Sequence, residues 1–351
     1  PYRIDKTAPN HVSHSMTGAD YVNGNDHWVK PGTLVKYKDR GYDALSGLKT
    51  TFLRIYNSNT DARARHQWSG TANNCDYWWT NEKVEIVSAN RTYNSGGYGE
   101  LEWGIKMNNY EEDFNVQYYY RDNANNDTPS YTNTGIRIRV DSSPPTITAN
   151  LANRDWSNNN VSISLTYSDS RSGVKTRQYA WSESTSTPSS WNTYSGSVTQ
   201  SSNGVWYLHA RVVDNVGNTA TQSFGPYRID KTAPTITASP SSRDWDNTDV
   251  TVSLTFTDEH SGVPTRQYAW STSTTTPTSW SNYSNPVTQS SDGTWYLHAR
   301  AIDGVGNVAT QCFGPYRIGN TLPTGSFSPN SREWGNTNVS VTISGSDSGS
   351  G

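Results

Sequence analysis

Along most of the chain, apolar and polar residues alternate with a period of two. Val161, Ile163, Leu165 and Tyr167 are spaced by Ser and Thr; Trp206, Leu208, Ala210 and Val212 are spaced by Tyr207, His209 and Arg211. Successive side chains of a strand point to opposite faces, so this pattern predicts half-buried strands with one face on a core. Clusters of Gly, Asn, Asp and Ser interrupt the pattern at short intervals, and no window carries a helical stripe. Short strands and frequent turns predict an all-β chain built from antiparallel sandwiches.

The pattern itself repeats. "RDWSNNNVSISLTYSDSRSGVKTRQYAWS" from Arg154 returns as "RDWDNTDVTVSLTFTDEHSGVPTRQYAWS" from Arg243 and starts again as "REWGNTNVSVTISGSDSGSG" from Arg332. Trp156, Trp245 and Trp334 recur every 89 residues, and Trp181/Trp270 and Trp206/Trp295 keep the same phase. A unit of this length, rich in short strands, fits a sandwich of immunoglobulin or fibronectin type III kind, here in tandem. Residues 10–143 carry the same skeleton, enlarged. "LVKYKDRGYDALSGLKTTFLRIY" aligns with "SLTYSDSRSGVKTRQYAWS" if four residues are inserted in the turn. That alignment pairs Tyr37 with Tyr167, Asp39 with Asp169, and Leu53 and Ile55 with Tyr179 and Trp181. "FNVQYYYRDNANN" aligns with "WYLHARVVDNVGN", which turns Phe114, Val116, Tyr118 and Tyr120 inward and sets Asp122 against Asp214. The added chain, roughly 45 residues, falls mostly between Asn57 and Tyr110. The predicted organisation is a linker at 1–9, an enlarged sandwich at 10–143, repeats at 144–231 and 232–320, and the start of a further repeat at 321–351. Opening inside a linker phrase, with no signal peptide, the chain reads as a segment of a longer protein.

Only 32% of the residues are hydrophobic, and Trp (14) and Tyr (22) far outnumber Phe (6), which predicts thin cores built around aromatics. The net charge of −3 leaves no basic surplus for nucleic acid or an acidic membrane. No apolar run is long enough for a membrane-spanning helix. Cys75 and Cys312 fall in different units, so they are expected to be free thiols rather than a disulfide framework.

Four motifs recur together: the "DKTAP" linker, Trp-x-Asn-x-x-Val before a strand, Asp-x-x-Ser-Gly-Val and Asp-x-x-Gly-Asn. Together they resemble the tandem bacterial Ig-like repeats of large surface proteins and adhesins. The resemblance covers nearly the whole chain and is closest over 144–320. It implies an extracellular, secreted or surface-anchored bacterial protein whose repeats serve as stalk, spacer or adhesive arm. The partners it implies are neighbouring copies, other cell-surface proteins or surface glycans.

No nucleophile elbow, phosphate loop or nucleotide fingerprint occurs, and the carboxylates recur copy after copy where a catalytic pair belongs to one site. The segment therefore reads as non-enzymatic. His11 and His14 form a His-x-x-His pair that no predicted element fixes, which makes a poor zinc site; His209 and His298 are expected to be solvated on a polar strand face. The repeated aspartates carry more. In a sandwich of this kind, the B–C loop ("SDSRSG", "TDEHSG") and the F–G loop ("VDNVGN", "IDGVGN") cluster at the end where the chain enters. Asp230, Asp258 and Asp303 should therefore meet at one junction, with Glu259 nearby. Asp141, Asp169 and Asp214 should meet at the junction before it, and Asp5, Asp39, Asp43 and Asp122 at the head of the first domain. Three carboxylates brought close need a cation, and Ca²⁺ accepts many oxygens in loose geometry. Related adhesin repeats stiffen their junctions with calcium, which the resemblance extends to this chain. The competing reading is that these aspartates are ordinary turn formers bonded to nearby backbone N–H groups. In the third copy of the linker phrase Gly319 replaces the aspartate, so that junction should lack one ligand.

Trp181 and Trp206 are predicted core residues, and Trp156 and Trp245 caps at the far end of their domains. "NNCDYWWT" (73–80) and "YNSGGYGELEW" (93–103) make the added chain aromatic-rich. Trp78, Trp79 and Trp103 are therefore candidate contacts for a glycan or partner, against the alternative that they enlarge the core. This gives a second functional reading, a carbohydrate-binding first domain on the stalk of a secreted glycosidase. Lateral assembly into a filament, sheath or surface layer is a further option.

Overall fold

A computed structural model describes residues 2–68, 75–79 and 82–347, with 75–79 described by backbone alone. In the first unit the strands are β1 (Asn10–Thr17), β2 (Tyr21–Asn23), β3 (Asp26–Val29), β4 (Leu34–Tyr42), β5 (Leu48–Tyr56) and β6 (Asp61–Gln67). They are followed by β7 (Cys75–Trp79), β8 (Val84–Ser95), β9 (Tyr98–Met107), β10 (Asp113–Asp122) and β11 (Thr132–Val140). Two sheets form, in the orders β1-β4-β9-β8 and β2-β3-β11-β10-β5-β6-β7. The extra chain adds β7 at the edge of the second sheet and β8 at the edge of the first. Between the sheets lie Val35 and Tyr37, Leu53 and Ile55, Leu101, Trp103 and Ile105, and Val116 and Tyr120, all fully buried. Burying each large apolar side chain contributes about 1.5–3 kcal/mol, so this layer is what closes the unit.

Trp103 belongs to that layer, with no exposed surface. A ring with no open face cannot stack on a sugar, so its candidacy as a glycan or partner contact is withdrawn and the enlarged-core alternative holds for it. The side chains of Trp78, Trp79 and Cys75 lie outside the described residues.

The second unit is the smaller pattern. Its strands are β12 (Thr146–Ala149), β13 (Arg154–Ser157), β14 (Val161–Ile163), β15 (Leu165–Ser168) and β16 (Val174–Ser182), then β17 (Asn192–Thr193), β18 (Val198–Gln200), β19 (Gly204–Asp214) and β20 (Thr219–Ile229). One face is β13-β20-β19-β16-β17; the other is made of the pairs β12-β15 and β14-β18. In both units one pair is parallel: β3 beside β11, and β13 beside β20. Ile147, Ile163, Leu165, Leu208 and Val212 form the core, with Trp181 and Trp206 half-buried against it. The third unit repeats this arrangement around Ile236, Val252, Leu254 and Leu297. Beyond it, Thr324–Ser328 pairs with Thr342–Ser346.

His209 and His298 depart from expectation. Both occupy the outer strand face but are buried. The chain that leaves the neighbouring strand passes over each ring: His209 lies 3.0 Å from the Ser184 carbonyl, just past β16, and 2.7 Å from Ser223 Oγ on β20. His298 makes the same contact with the Ser273 carbonyl at 2.9 Å.

Candidate cation sites at the domain heads

Each unit ends in a strand that runs straight into the linker: Asp230 N donates to the Ser157 carbonyl at 3.0 Å, and Asp141 N to the Val29 carbonyl at 3.0 Å. The linker aspartate thereby reaches the next unit already fixed. There it meets the two loops that leave strands of opposite sheets. Asp141, Asp169 and Asp214 each offer a carboxylate oxygen within 4.8 Å of the others, and so do Asp230, Asp258 and Asp303. Exposed Glu259 stays outside the group.

At the head of the first unit the trio is Asp5, Asp43 and Asp122. Asp39 is not in it. "DALSG" is the same turn as "DSRSG" with no insertion: Asp43 Oδ1 accepts from Ser46 N at 2.7 Å and Gly47 N at 2.6 Å. Asp169 Oδ1 likewise accepts from Arg171 N at 3.0 Å and Gly173 N at 2.7 Å. The closing glycine has φ of +77° at Gly47 and +84° at Gly173, the left-handed conformation that L side chains avoid. The four-residue insertion was therefore misplaced. Asp39 lies four positions earlier in β4 and faces the core.

The local bonds are those of turn formers. Asp214 Oδ1 accepts from Gly217 N at 2.6 Å and Asn218 N at 2.7 Å, while Asn218 Nδ2 donates both to Asp214 Oδ2 at 2.8 Å and to the Asp141 carbonyl at 3.2 Å. Asn307 repeats this with Asp303 and the Asp230 carbonyl, and Asn126 with Asp122 and the Asp5 carbonyl. The linker carboxylate is held from the B–C side: Ser172 N reaches Asp141 Oδ2 at 3.0 Å, and Ser261 N reaches Asp230 Oδ2 at 3.1 Å. These asparagines and serines were not singled out in the sequence, although Asp-x-x-Gly-Asn and Asp-x-x-Ser-Gly carried them.

Turn formation alone does not explain the convergence. Asp122, Asp141, Asp214 and Asp230 are fully buried, and among the described residues none of the nine carboxylates pairs with a lysine or arginine. Two like charges 4–5 Å apart repel by about 3–4 kcal/mol at an effective dielectric constant near 20. Burial, and to a smaller extent the Asp141 charge, pushes the Asp214 carboxyl above its ordinary value. Carboxylate and carbonyl oxygens from three loops are the donor set of a hard divalent cation such as Ca²⁺.

Other contacts cross the junctions. Arg171 reaches back to Asp113 Oδ1 at 2.7 Å and to the Glu111 carbonyl at 3.3 Å, and lies 5.8 Å from the Trp28 ring. At the next junction, Trp156 stacks on His260 at 5.6 Å and Asn158 Nδ2 donates to the Val305 carbonyl. By strand register, Trp28 and Trp156 hold the same position, each sealing the junction that follows it. Trp245, at the same position in the third unit, is 41% exposed. After that unit Gly319 N keeps the backbone bond to Asp246, but there is no carboxylate.

No protein-family model and no curated protein matches the chain. Among solved structures it is similar to fibronectin(III)-like modules of CbhA from Clostridium thermocellum, with 14% identity, 49% of this chain and 95% of that one covered, and a TM-score of 0.22. A chain from the complex of Dpr2 Ig1-Ig2 with DIP-Theta Ig1-Ig3 is similar at 9% identity over 89% of this chain and 100% of that one, with a TM-score of 0.38. The three N-terminal domains of the Hoc outer capsid protein of bacteriophage RB49 are similar at 8% identity, 89% and 99% coverage and a TM-score of 0.31. No helix of the described residues is long and apolar enough to cross a membrane.

Proposed function

We propose that this chain is a non-enzymatic structural or adhesive segment, a stalk of tandem Ig-like sandwiches whose junctions are stiffened by Ca²⁺. The observation that supports this most is the carboxylate trio rebuilt at three successive heads, each spending one linker aspartate on the unit that follows. A turn former has no reason to be buried beside two others; a ligand does. A secreted or surface-anchored bacterial protein, with neighbouring copies, cell-surface proteins or glycans as partners, is the setting implied by the linker and loop motifs. The test is small-angle scattering on the chain with calcium and with chelator. Calcium should narrow the distribution of interdomain distances, and Asp230→Ala should reproduce the effect of chelation at its own junction. Superimposable profiles in the two buffers would reduce the aspartates to turn formers and the linker to a proline-stiffened spacer.

A further inference from the structure

The first unit breaks its own pattern at the top of its core. The registers align its inward positions with those of the repeats, counting back from the head aspartates. Asp39 stands where the repeats have Leu165 and Leu254; His11 stands for Ile147 and Ile236, and His14 for Ala149 and Ala238. One substitution is a volume exchange. Gly41 replaces Tyr167 and Phe256, and Tyr120 fills the gap from the facing strand, its ring 2.8 Å from where a Gly41 Cβ would sit. The other three are not. They put an acid and two imidazoles where the sister domains set aliphatic groups in the core or against it.

A bulge at β1 brings the histidines together. Residues three apart on a regular strand face opposite ways, but the register shifts between His11 and Ser13 and both rings turn inward. His11 Nε2 lies 3.2 Å from His14 Nδ1 and 3.5 Å from Asp39 Oδ1. Asp39 is 2% exposed; its Oδ1 accepts from Tyr120 OH at 2.7 Å, and its Oδ2 is buried with no partner. No lysine or arginine reaches this carboxylate among the described residues. Its neighbours are phenols and imidazoles, so nothing with a fixed positive charge balances it.

We propose that His11, His14 and Asp39 form a site for a late first-row divalent cation of the Zn²⁺ type, distinct from the oxygen-only trios at the heads. Ligands about 2.0–2.2 Å from a tetrahedral metal stand roughly 3.3–3.5 Å from one another. Two edges of that tetrahedron are present, at 3.2 and 3.5 Å. The three groups do not close as a mutual cluster within 4.8 Å, as the aspartate trios do. His14 is opposite Asp39 in the ladder, so the edge between these two is the one left open. Burial holds both imidazoles below their ordinary value. Two nitrogens and a carboxylate suit Zn²⁺, whereas Ca²⁺ prefers oxygen.

The test is titration of the full chain with Zn²⁺ by calorimetry in excess Ca²⁺, and with Co²⁺ followed by its tetrahedral visible absorption. One equivalent of Zn²⁺, intense Co²⁺ bands and a raised melting temperature are expected. Asp39→Leu, His14→Ala and His11→Ile each install the residue that the repeats carry, so they should fold while losing the stoichiometric site and the bands. No binding by the unaltered chain would overturn the proposal, leaving a hydrogen-bonded polar core. Binding that persists in both His14→Ala and Asp39→Leu would overturn it equally, by placing the ion elsewhere.

Discussion

Asp230→Asn separates a ligand from a turn former by the sign of its effect. The carboxylate lies within 4.8 Å of those of Asp258 and Asp303, so two like-charge pairs vanish with it. At about 3–4 kcal/mol per pair the gain looks large. One pair alone, the lower bound, gives about 3–4 kcal/mol. Against the gain stand bonds from Ser261 N at 3.1 Å, Ser261 Oγ at 2.5 Å and Thr232 N at 3.1 Å. An amide keeps one oxygen for them and loses the rest, about 1–2 kcal/mol. In chelator the variant should therefore be more stable by about 1–3 kcal/mol, raising the melting temperature of a unit this size by about 4–8 °C per kcal/mol. In calcium the advantage should shrink by most of the about 2.7 kcal/mol that the unaltered chain gains at one hundred times the dissociation constant, and over most of that range the order reverses. Differential scanning calorimetry of the two chains in the two buffers reads both signs. A variant destabilised alike in chelator and in calcium would refute the reasoning.

Two further outcomes follow. Arg171→Ala removes the ion pair to Asp113 and the contact with the Glu111 carbonyl, so scattering should show more bending at the first junction and little change at the second. Burial lifts the Asp39 carboxyl to about 7, above its ordinary 3.8. For a raised folded value the stabilisation is fully present below pH 3.8 and is lost as pH rises towards 7, about 4 kcal/mol in all. Metal-free, the first unit should thus melt higher at pH 5 than at pH 8 in calorimetric scans, and Asp39→Leu should flatten that difference.

The strands were legible because alternation is a local signal, and the repeats because tryptophan positions stay in phase over long distances. The convergence of the linker aspartate with the B–C and F–G loops also followed, since topology dictates which loops share an end. What failed was alignment through a turn. Tyr37 and Asp39 imitate the Tyr-x-Asp of Tyr167 and Asp169, and only the strand register shows that Gly41 and Asp43 occupy those places. The imitation misled because a ring had moved across the core from β4 to β10, an exchange between strands far apart in sequence. The inward turn of His11 and His14 was illegible for a related reason: one bulged residue reverses the facing of every side chain on one side of it, and composition does not register a bulge. His209 was misread because alternation reports which face a residue is on, not what later folds over that face.

The parallel pair of β13 and β20 has a mechanical consequence. Chain enters the second unit at its head and leaves from the far end of β20, whose last residues align with Arg154 and Ser157 of β13. A pull on the two ends draws β20 tailward and, through β12, draws β13 headward. The two strands are then loaded in sliding opposition, and the bonds between them must yield together rather than one after another. The same geometry recurs at β3 and β11 in the first unit. Each unit is thus gripped lengthwise at the strand from which the next one hangs, so tension along the chain falls on a shear clamp instead of peeling open a sheet edge.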